Sequence, residues 1–331
     1  MLEIWPFLNC LGLGIVLLFM AALWGGALIS LCSEIQGWVS GNKFSDKFAL
    51  QVCRMSLMGL LVLAALATLA AVLRFQTMPA GQPVLPDSAK TVWIWPLAGL
   101  GLGVVFQIVS LVTWRNLKRK IKAIHLLISV VAVLGLWMGG YGILNLGLGY
   151  LFGPGLETAS GMPCWSVLLP IVPEILGPAS ISFLLLSLGG GGTMAGGYLL
   201  LRRNQDDFGR DYYTRVQPLA ARWGMLFLLQ FFFLVWIFWS GSDVPAQAAE
   251  HSILQRPEIL GVGLGAGLCF VLQFFLMLAV SRSKTPLRKK GSMVFGLIFS
   301  WLALSLSAAF LYLVHDFGLN LFEKGIWQLL A

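Results

Sequence analysis

The ionisable side chains that could do chemistry in this chain are few, and they sit where long apolar runs begin or end. Glu174 and Glu258 open two such runs, His315 and Asp316 close another, and Arg74 and Arg256 lie at comparable depth. Arg54, Arg222, Glu34 and His125 occupy the opposite ends. Carboxylates and imidazoles at a membrane boundary can exchange protons with a bound ligand, and an imidazole titrates near neutrality with little tuning. Glu174 is the first candidate for that role, because Pro173 and Pro178 beside it would leave backbone groups free to line a cavity; His315 is the second. The competing account is that such groups simply meet water, lipid headgroups and helix ends. Ionisable groups deeper in the hydrocarbon would be functional by default, because burying them is costly.

The elements that must position these residues are apolar throughout. The 331 residues are 58% hydrophobic and 11% charged, where a soluble domain would be about a quarter charged. Eight runs of spanning length are visible: Pro6–Cys32, Ala49–Phe75, Thr91–Trp114, Ala123–Leu151, Glu174–Leu201, Pro218–Ser240, Pro257–Ser281 and Ser292–His315. The first run has no basic leading segment and continues the repeat described next, so it does not read as a cleavable signal. The basic connections Arg115–Lys122 and Ser281–Lys290 are expected in the cytoplasm. All of the 22 basic residues except Arg74, Lys90, Arg256 and Lys324 then fall at cytoplasmic ends. The expected location is a bacterial inner membrane with both termini periplasmic. The net charge of +8 is thereby a topology signal, and nucleic acid is not an expected partner.

The runs form two related sets of four. Gly25 and Gly26 match Gly190 and Gly191 at an offset of 165; Arg54 matches Arg222 at 168; Gly99, Gly101 and Gln107 match Gly265, Gly267 and Gln273 at 166. The recurrence of Arg54 as Arg222 favours a structural role for both, such as holding loops. An even number of spans per set gives both sets one orientation. The expected fold is all-α: a polytopic membrane protein with a first four-helix repeat over 1–151, a second over 152–315, and an amphipathic interfacial helix over 316–331. Gly189–Gly192 suits a tight helix crossing or a flat surface against a cofactor ring. Pro170, Pro173 and Pro178 predict a short interfacial helix or re-entrant turn before the fifth span. Trp93, Trp95, Trp165, Trp239 and Trp327 fall near outer ends, where interfacial anchoring accounts for them.

Several chemistries lack their residues. Cys10, Cys32, Cys53, Cys164 and Cys269 form no CxxC or CxxCH, so neither covalent haem c nor a thiol-redox pair is expected. His125, His251 and His315 offer no pair at matched depth for bis-His haem b, which leaves only a haem with Met or single-His ligation. No metal-ligand cluster is visible. GLGLG at Gly99–Gly103 lies inside an apolar span, outside any nucleotide-binding context.

The stretches Phe19–Glu34 and Tyr212–Trp239 resemble a group of eight-span membrane proteins related in architecture to cytochrome bd quinol oxidase subunits, which accompany c-type cytochromes. The four-plus-four plan and glycine-rich first span also resemble polysulfide-reductase-type quinone-binding anchors. Where the cytochrome bd pattern has a haem-ligating histidine, this chain reads VLLFMAALW, so oxygen reduction is not expected. The resemblance implies a quinone-facing subunit of a respiratory electron-transfer complex, partnered by membrane lipid and by multihaem c-type cytochromes or iron-sulfur subunits. A quinone headgroup on the outer side would meet Glu174 and His315 as acid-base groups, with Trp165, Glu258, Asp316 and Arg256 as binding residues. Two other classes stay open: a structural membrane anchor, favoured by the scarcity of mid-membrane polar groups, and a small-solute transporter, favoured by the proline-interrupted fifth span.

Overall fold

The computed structural model describes residues 4–77, 93–114, 116, 121–152, 173–205, 208–240 and 256–316. These form helices α1 (Ile4–Ser40), α2 (Lys43–Thr77), α3 (Ile94–Thr113), α4 (Lys122–Phe152), α5 (Pro173–Arg202), α6 (Gly209–Met225), α7 (Phe227–Ser240), α8 (Pro257–Ser281) and α9 (Lys290–Asp316). Among the described residues, eight segments are long and apolar enough to cross a membrane, with α6 and α7 together supplying the sixth. The chain is thus an all-α polytopic membrane protein. The C-terminal helix expected over 316–331, and the expected turn before the fifth span up to residue 172, lie outside the described residues.

Side chains are distributed as lipid demands. Leu61, Val112, Leu127 and Leu264 face outward, whereas Gln51, Ser56, Gln107, Gln217 and Gln273 are buried. With lipid outside, apolar burial drives association weakly, and close backbone packing must hold the helices together. Glycine permits that approach. A Cβ on Gly190 would stand 2.6 Å from the Ala21 Cβ, and one on Gly191 would stand 2.9 Å from the Ala21 carbonyl oxygen, so α5 lies directly on α1. A Cβ on Gly192 would meet the Gly224 nitrogen at 2.5 Å, and Gly189 faces Phe227. The four-glycine run is therefore a crossing filled by protein on both sides, with no face left for a cofactor ring. Gly99 and Gly103 of α3 meet Gly135 and Gly139 of α4 as two interlocked GxxxG pairs: a Cβ on Gly135 would lie 2.6 Å from the Gly103 nitrogen.

The pattern of packing is the same in both halves. The third helix pairs with the fourth (α3 with α4, α8 with α9), and the first pairs with the second (α1 with α2, α5 with α6 and α7). Helix α1 also packs against α5 and α9, so the two halves share a broad seam. Matching glutamines close each half. Gln107 Nε2 donates to Ser56 Oγ at 2.8 Å, and Ser56 donates to the Leu23 carbonyl at 2.6 Å. Gln273 Nε2 donates to the Gly224 carbonyl at 3.1 Å and to Thr193 Oγ1 at 3.0 Å. Ser56 and Gly224 differ by 168, the same offset that relates Arg54 to Arg222. One interhelical bond therefore recurs at equivalent positions.

Two local features depart from the expectation. Pro178 lies inside α5, which runs unbroken from Pro173. The interruption falls instead at Leu226, where the sixth span bends between α6 and α7 and the Leu226 N–H donates to the Trp223 carbonyl at 3.1 Å. The Gln273 bond to Gly224 supplies a partner to a carbonyl at this break, as a hydrocarbon setting requires. Between α1 and α2, Gly41 adopts φ 64°, the left-handed conformation that ends helices cheaply only at glycine. Asn42 then caps α2, its Oδ1 accepting the Phe44 N–H at 2.9 Å.

The packing separates glycines by role. Gly25→Val and Gly103→Leu are expected to lower thermal stability in detergent by about 1–3 kcal/mol or to abolish assembly, because each new side chain meets a neighbouring helix. Gly101 faces open space, so Gly101→Ala is expected to be neutral or mildly stabilising. Fluorescence-detected size-exclusion melts of the three variants check this ordering.

Candidate functional site

At the end of the bundle that carries the basic loops, three helices converge on one ionisable cluster. Glu34 lies on the last turns of α1, His125 on the first turn of α4, Ser129 one turn further along α4, and Ser110 on the last turn of α3. His125 and Ser129 belong to an inward stripe with Ala132, Val133 and Leu136, whose spacing keeps them on one helical face. His125 is 0% exposed and Glu34 4%.

The contacts link all four residues. His125 Nδ1 lies 2.5 Å from Glu34 Oε1, and Nε2 lies 3.0 Å from the Ser110 carbonyl oxygen. Ser129 Oγ donates to Glu34 Oε2 at 3.0 Å, and Ser110 Oγ stands 3.0 Å from Ser129 Oγ. The Trp114 ring meets the imidazole edge-on, with centroids 4.9 Å apart.

These positions suit one arrangement of protons. A carbonyl oxygen only accepts, so Nε2 must carry a hydrogen toward Ser110. With Nε2 protonated toward Ser110, the Nδ1–Oε1 contact at 2.5 Å is a hydrogen bond when a second proton lies between the two atoms. The pair is then either imidazolium with carboxylate or neutral imidazole with carboxylic acid, and its net charge is zero in both forms. That neutrality is what makes burial tolerable, because an isolated charge there would cost several kcal/mol. With Ser129 donating to Glu34, Ser110 can donate in turn to Ser129. Two hydroxyls thus lead from the carboxylate toward the end of α3. Chemically, the cluster can hold one proton and move it between two groups.

The outer residues singled out in the sequence stand as follows. Glu174 is the second residue of α5, Glu258 the second of α8, and His315 and Asp316 the last two of α9. Their backbones therefore share the end of the bundle opposite the cluster. Glu258 is exposed in the first turn of its helix behind Pro257, where a carboxylate complements the helix dipole. Arg256 immediately precedes that turn and is half-buried. The side chains of Glu174, His315 and Asp316, and the whole of Trp165, lie outside what the structure describes. Arg222 is exposed and Arg54 half-buried, and neither makes an ion pair among the described residues, so no loop is fastened by either guanidinium there.

The sequence reading placed Glu34 and His125 at similar depth without pairing them. The available signal was the His125–Ser129 spacing of four, which sets an imidazole and a hydroxyl on one face. Their partner is 91 positions away, and only the crossing of α1 with α4 supplies it. That crossing is fixed by the Trp24 Nε1–H, which donates to the Leu136 carbonyl at 2.7 Å. No protein-family model, curated protein or solved structure matches this chain.

Glu34→Gln can keep the contacts to His125 and Ser129, with the amide donating to Nδ1 of a neutral imidazole and accepting from Ser129. It is expected to shift stability by no more than about 1 kcal/mol. His125→Ala leaves the carboxylate buried without its partner and is expected to cost about 3–5 kcal/mol. Thermal melts of the purified chain in detergent compare the two.

Proposed function

We propose that this chain is the membrane-embedded subunit of a quinone-linked electron-transfer assembly, in which the Glu34–His125 pair exchanges the protons that accompany the redox chemistry. The observation that carries this reading is the buried contact of His125 Nδ1 with Glu34 Oε1 at 2.5 Å, an imidazole and a carboxyl close enough to share a proton. Two-electron oxidation of a quinol releases two protons, and reduction of a quinone takes up two. A group that accepts or donates them must stand within reach through side chains or water. The Ser129–Ser110 hydroxyl chain supplies a short route from the pair toward the helix end. The resemblance to quinone-binding anchors supports the same class. Electrons would pass to or from c-type cytochrome or iron-sulfur partners, since the chain encodes no covalent haem site of its own. On this reading the headgroup sits at the basic end, which the positive-inside bias favours as cytoplasmic; Glu174, Glu258, His315 and Asp316 with Arg256 and Trp165 form the alternative headgroup site, at the opposite, periplasmic end.

A second reading is favoured by the completeness of the cluster. Both ring nitrogens and both carboxylate oxygens find partners within the protein, as a purely structural clamp of α1, α3 and α4 would require. The chain would then be a passive anchor of the assembly.

Glu34→Gln separates the readings because it preserves the clamp and removes the exchangeable acid. In the native assembly, quinol-dependent reduction of the partner cytochrome is expected to fall at least roughly tenfold in Glu34→Gln, within the range general acid-base groups contribute. Glu174→Gln and His315→Ala, measured in parallel, report on the outer set. Unchanged turnover in Glu34→Gln with assembly intact would refute the proton role and leave the clamp; loss only in the outer variants would move the chemistry to the periplasmic end.

A further inference from the structure

The basic end holds a second feature that the proton cluster does not use. A cleft of about 160 Å³ opens between the α1–α2 turn and α6, lined by Gln36, Asn42, Phe44, Ser45, Arg215 and Arg222 among others. A single water needs only about 10–15 Å³, so a hydrated tetrahedral group fits. Arg215 and Arg222 are seven positions apart, two turns of α6, and line the same cleft. The Arg215 guanidinium lies over the Phe44 ring at 4.9 Å, which holds it at the rim. Among the described residues no carboxylate pairs with either arginine; Asp211, one turn before Arg215, is exposed and out of ion-pair range.

The remaining lining is also suited to an anion. Ser45 is 3% exposed and lines the cleft, where its hydroxyl can donate to a bound acceptor. The N-terminus of α2 directs the positive end of its dipole to the same place. Asn42 and Gln36 add amide donors. Two guanidiniums without a carboxylate partner among the described residues, a hydroxyl and a helix N-terminus line one cleft, a donor set that suits the anionic oxygens of a tetrahedral phosphate.

We propose that this cleft binds the phosphate of an anionic phospholipid from the leaflet at the basic end. A lipid is favoured over a soluble phosphate because Phe44, Val216, Pro218 and Leu219 give the cleft an apolar part of its lining, and because the cleft lies at the start of the membrane-spanning helix α2. The guanidiniums take the phosphate oxygens, Ser45 donates one further hydrogen bond, and the apolar part of the lining receives the glycerol and upper acyl carbons.

The full chain in phosphatidylcholine nanodiscs, titrated with phosphatidylglycerol and read by native mass spectrometry and thermal shift, tests this. The wild type is expected to retain phosphatidylglycerol preferentially and to melt higher with it. Arg215→Gln/Arg222→Gln is expected to weaken that retention roughly tenfold or more, and Ser45→Ala by a smaller factor, with the effect shrinking as salt rises. Should the double variant not fold, Ser45→Ala and the exposed Arg215→Gln alone give the same readout. Retention equal to wild type in the variants would overturn the site. Inorganic phosphate that protects as well as the lipid, and competes with it, would overturn the lipid assignment in favour of a soluble phosphate.

Discussion

The backbone of α1 lying directly on the backbone of α5 is the contact on which the remaining structure depends. Gly25, Gly190 and Gly191 leave no room for a Cβ between the two helices, and Ala21 fills what space remains. In water such a seam could be held by apolar burial at a looser separation. In lipid the flanking hydrocarbon competes equally well for every methyl group, so only interatomic distances that lipid chains cannot reach distinguish helix from solvent. Once α1 and α5 are locked, α1 can carry α2 and α4 from one half and α9 from the other. The first helix of each half thereby becomes interior, and the third helices, α3 and α8, are pushed to the lipid.

Polar groups then act as register pins. Trp24, Ser56, Gln107, Thr193 and Gln273 each reach a neighbouring helix, mostly at a main-chain carbonyl. Such bonds contribute modestly per pair in membranes, about 0.6 kcal/mol on average, yet a slip of one residue would strand a donor in hydrocarbon. Their value is specificity of register, set on top of the tight packing. The Gln273 bond to Gly224 has an added function, since it meets a carbonyl beside the break at Leu226. A bent sixth span therefore coexists with full membrane depth.

What could be read from the chain divides along the distance over which each feature is encoded. The eight spans are local patterns and emerged as helices, and the matched Gln107 and Gln273 emerged as equivalent contacts. The tolerance of Pro178 was not legible, because a proline within two turns of a helix start removes a hydrogen bond that the local pattern cannot weigh against packing. The break at Leu226 carries no proline or glycine at its centre; Pro218 and Gly224 lie before it, and only the neighbouring α5 and α8 explain its position. Glu34 and His125 were visible as residues but not as a pair. Depth alone leaves the rotation of each helix undefined, and rotation decides whether two polar groups meet. It is set by Trp24 against Leu136 and by the glycine faces, interactions distant in sequence.

The last turns of α1 join the two polar features of the basic end. Glu34 and Gln36 are two residues apart, about 200° around the helix, so one faces α3 and α4 while the other faces the cleft beside α6. Gly37 packs against Asp46 at the start of α2, and the Gly41 turn follows at once. This end of α1 is consequently clamped on one side by a neutral proton-sharing pair and bounded on the other by the guanidiniums of the cleft. The arrangement is electrostatically consistent. A buried pair with zero net charge can sit within a few turns of a strongly basic surface without large repulsion, whereas a second buried cation there would not survive. Among the described residues Arg215 and Arg222 have no carboxylate partner, so an anion from outside the protein would meet this surplus of positive charge at the cleft.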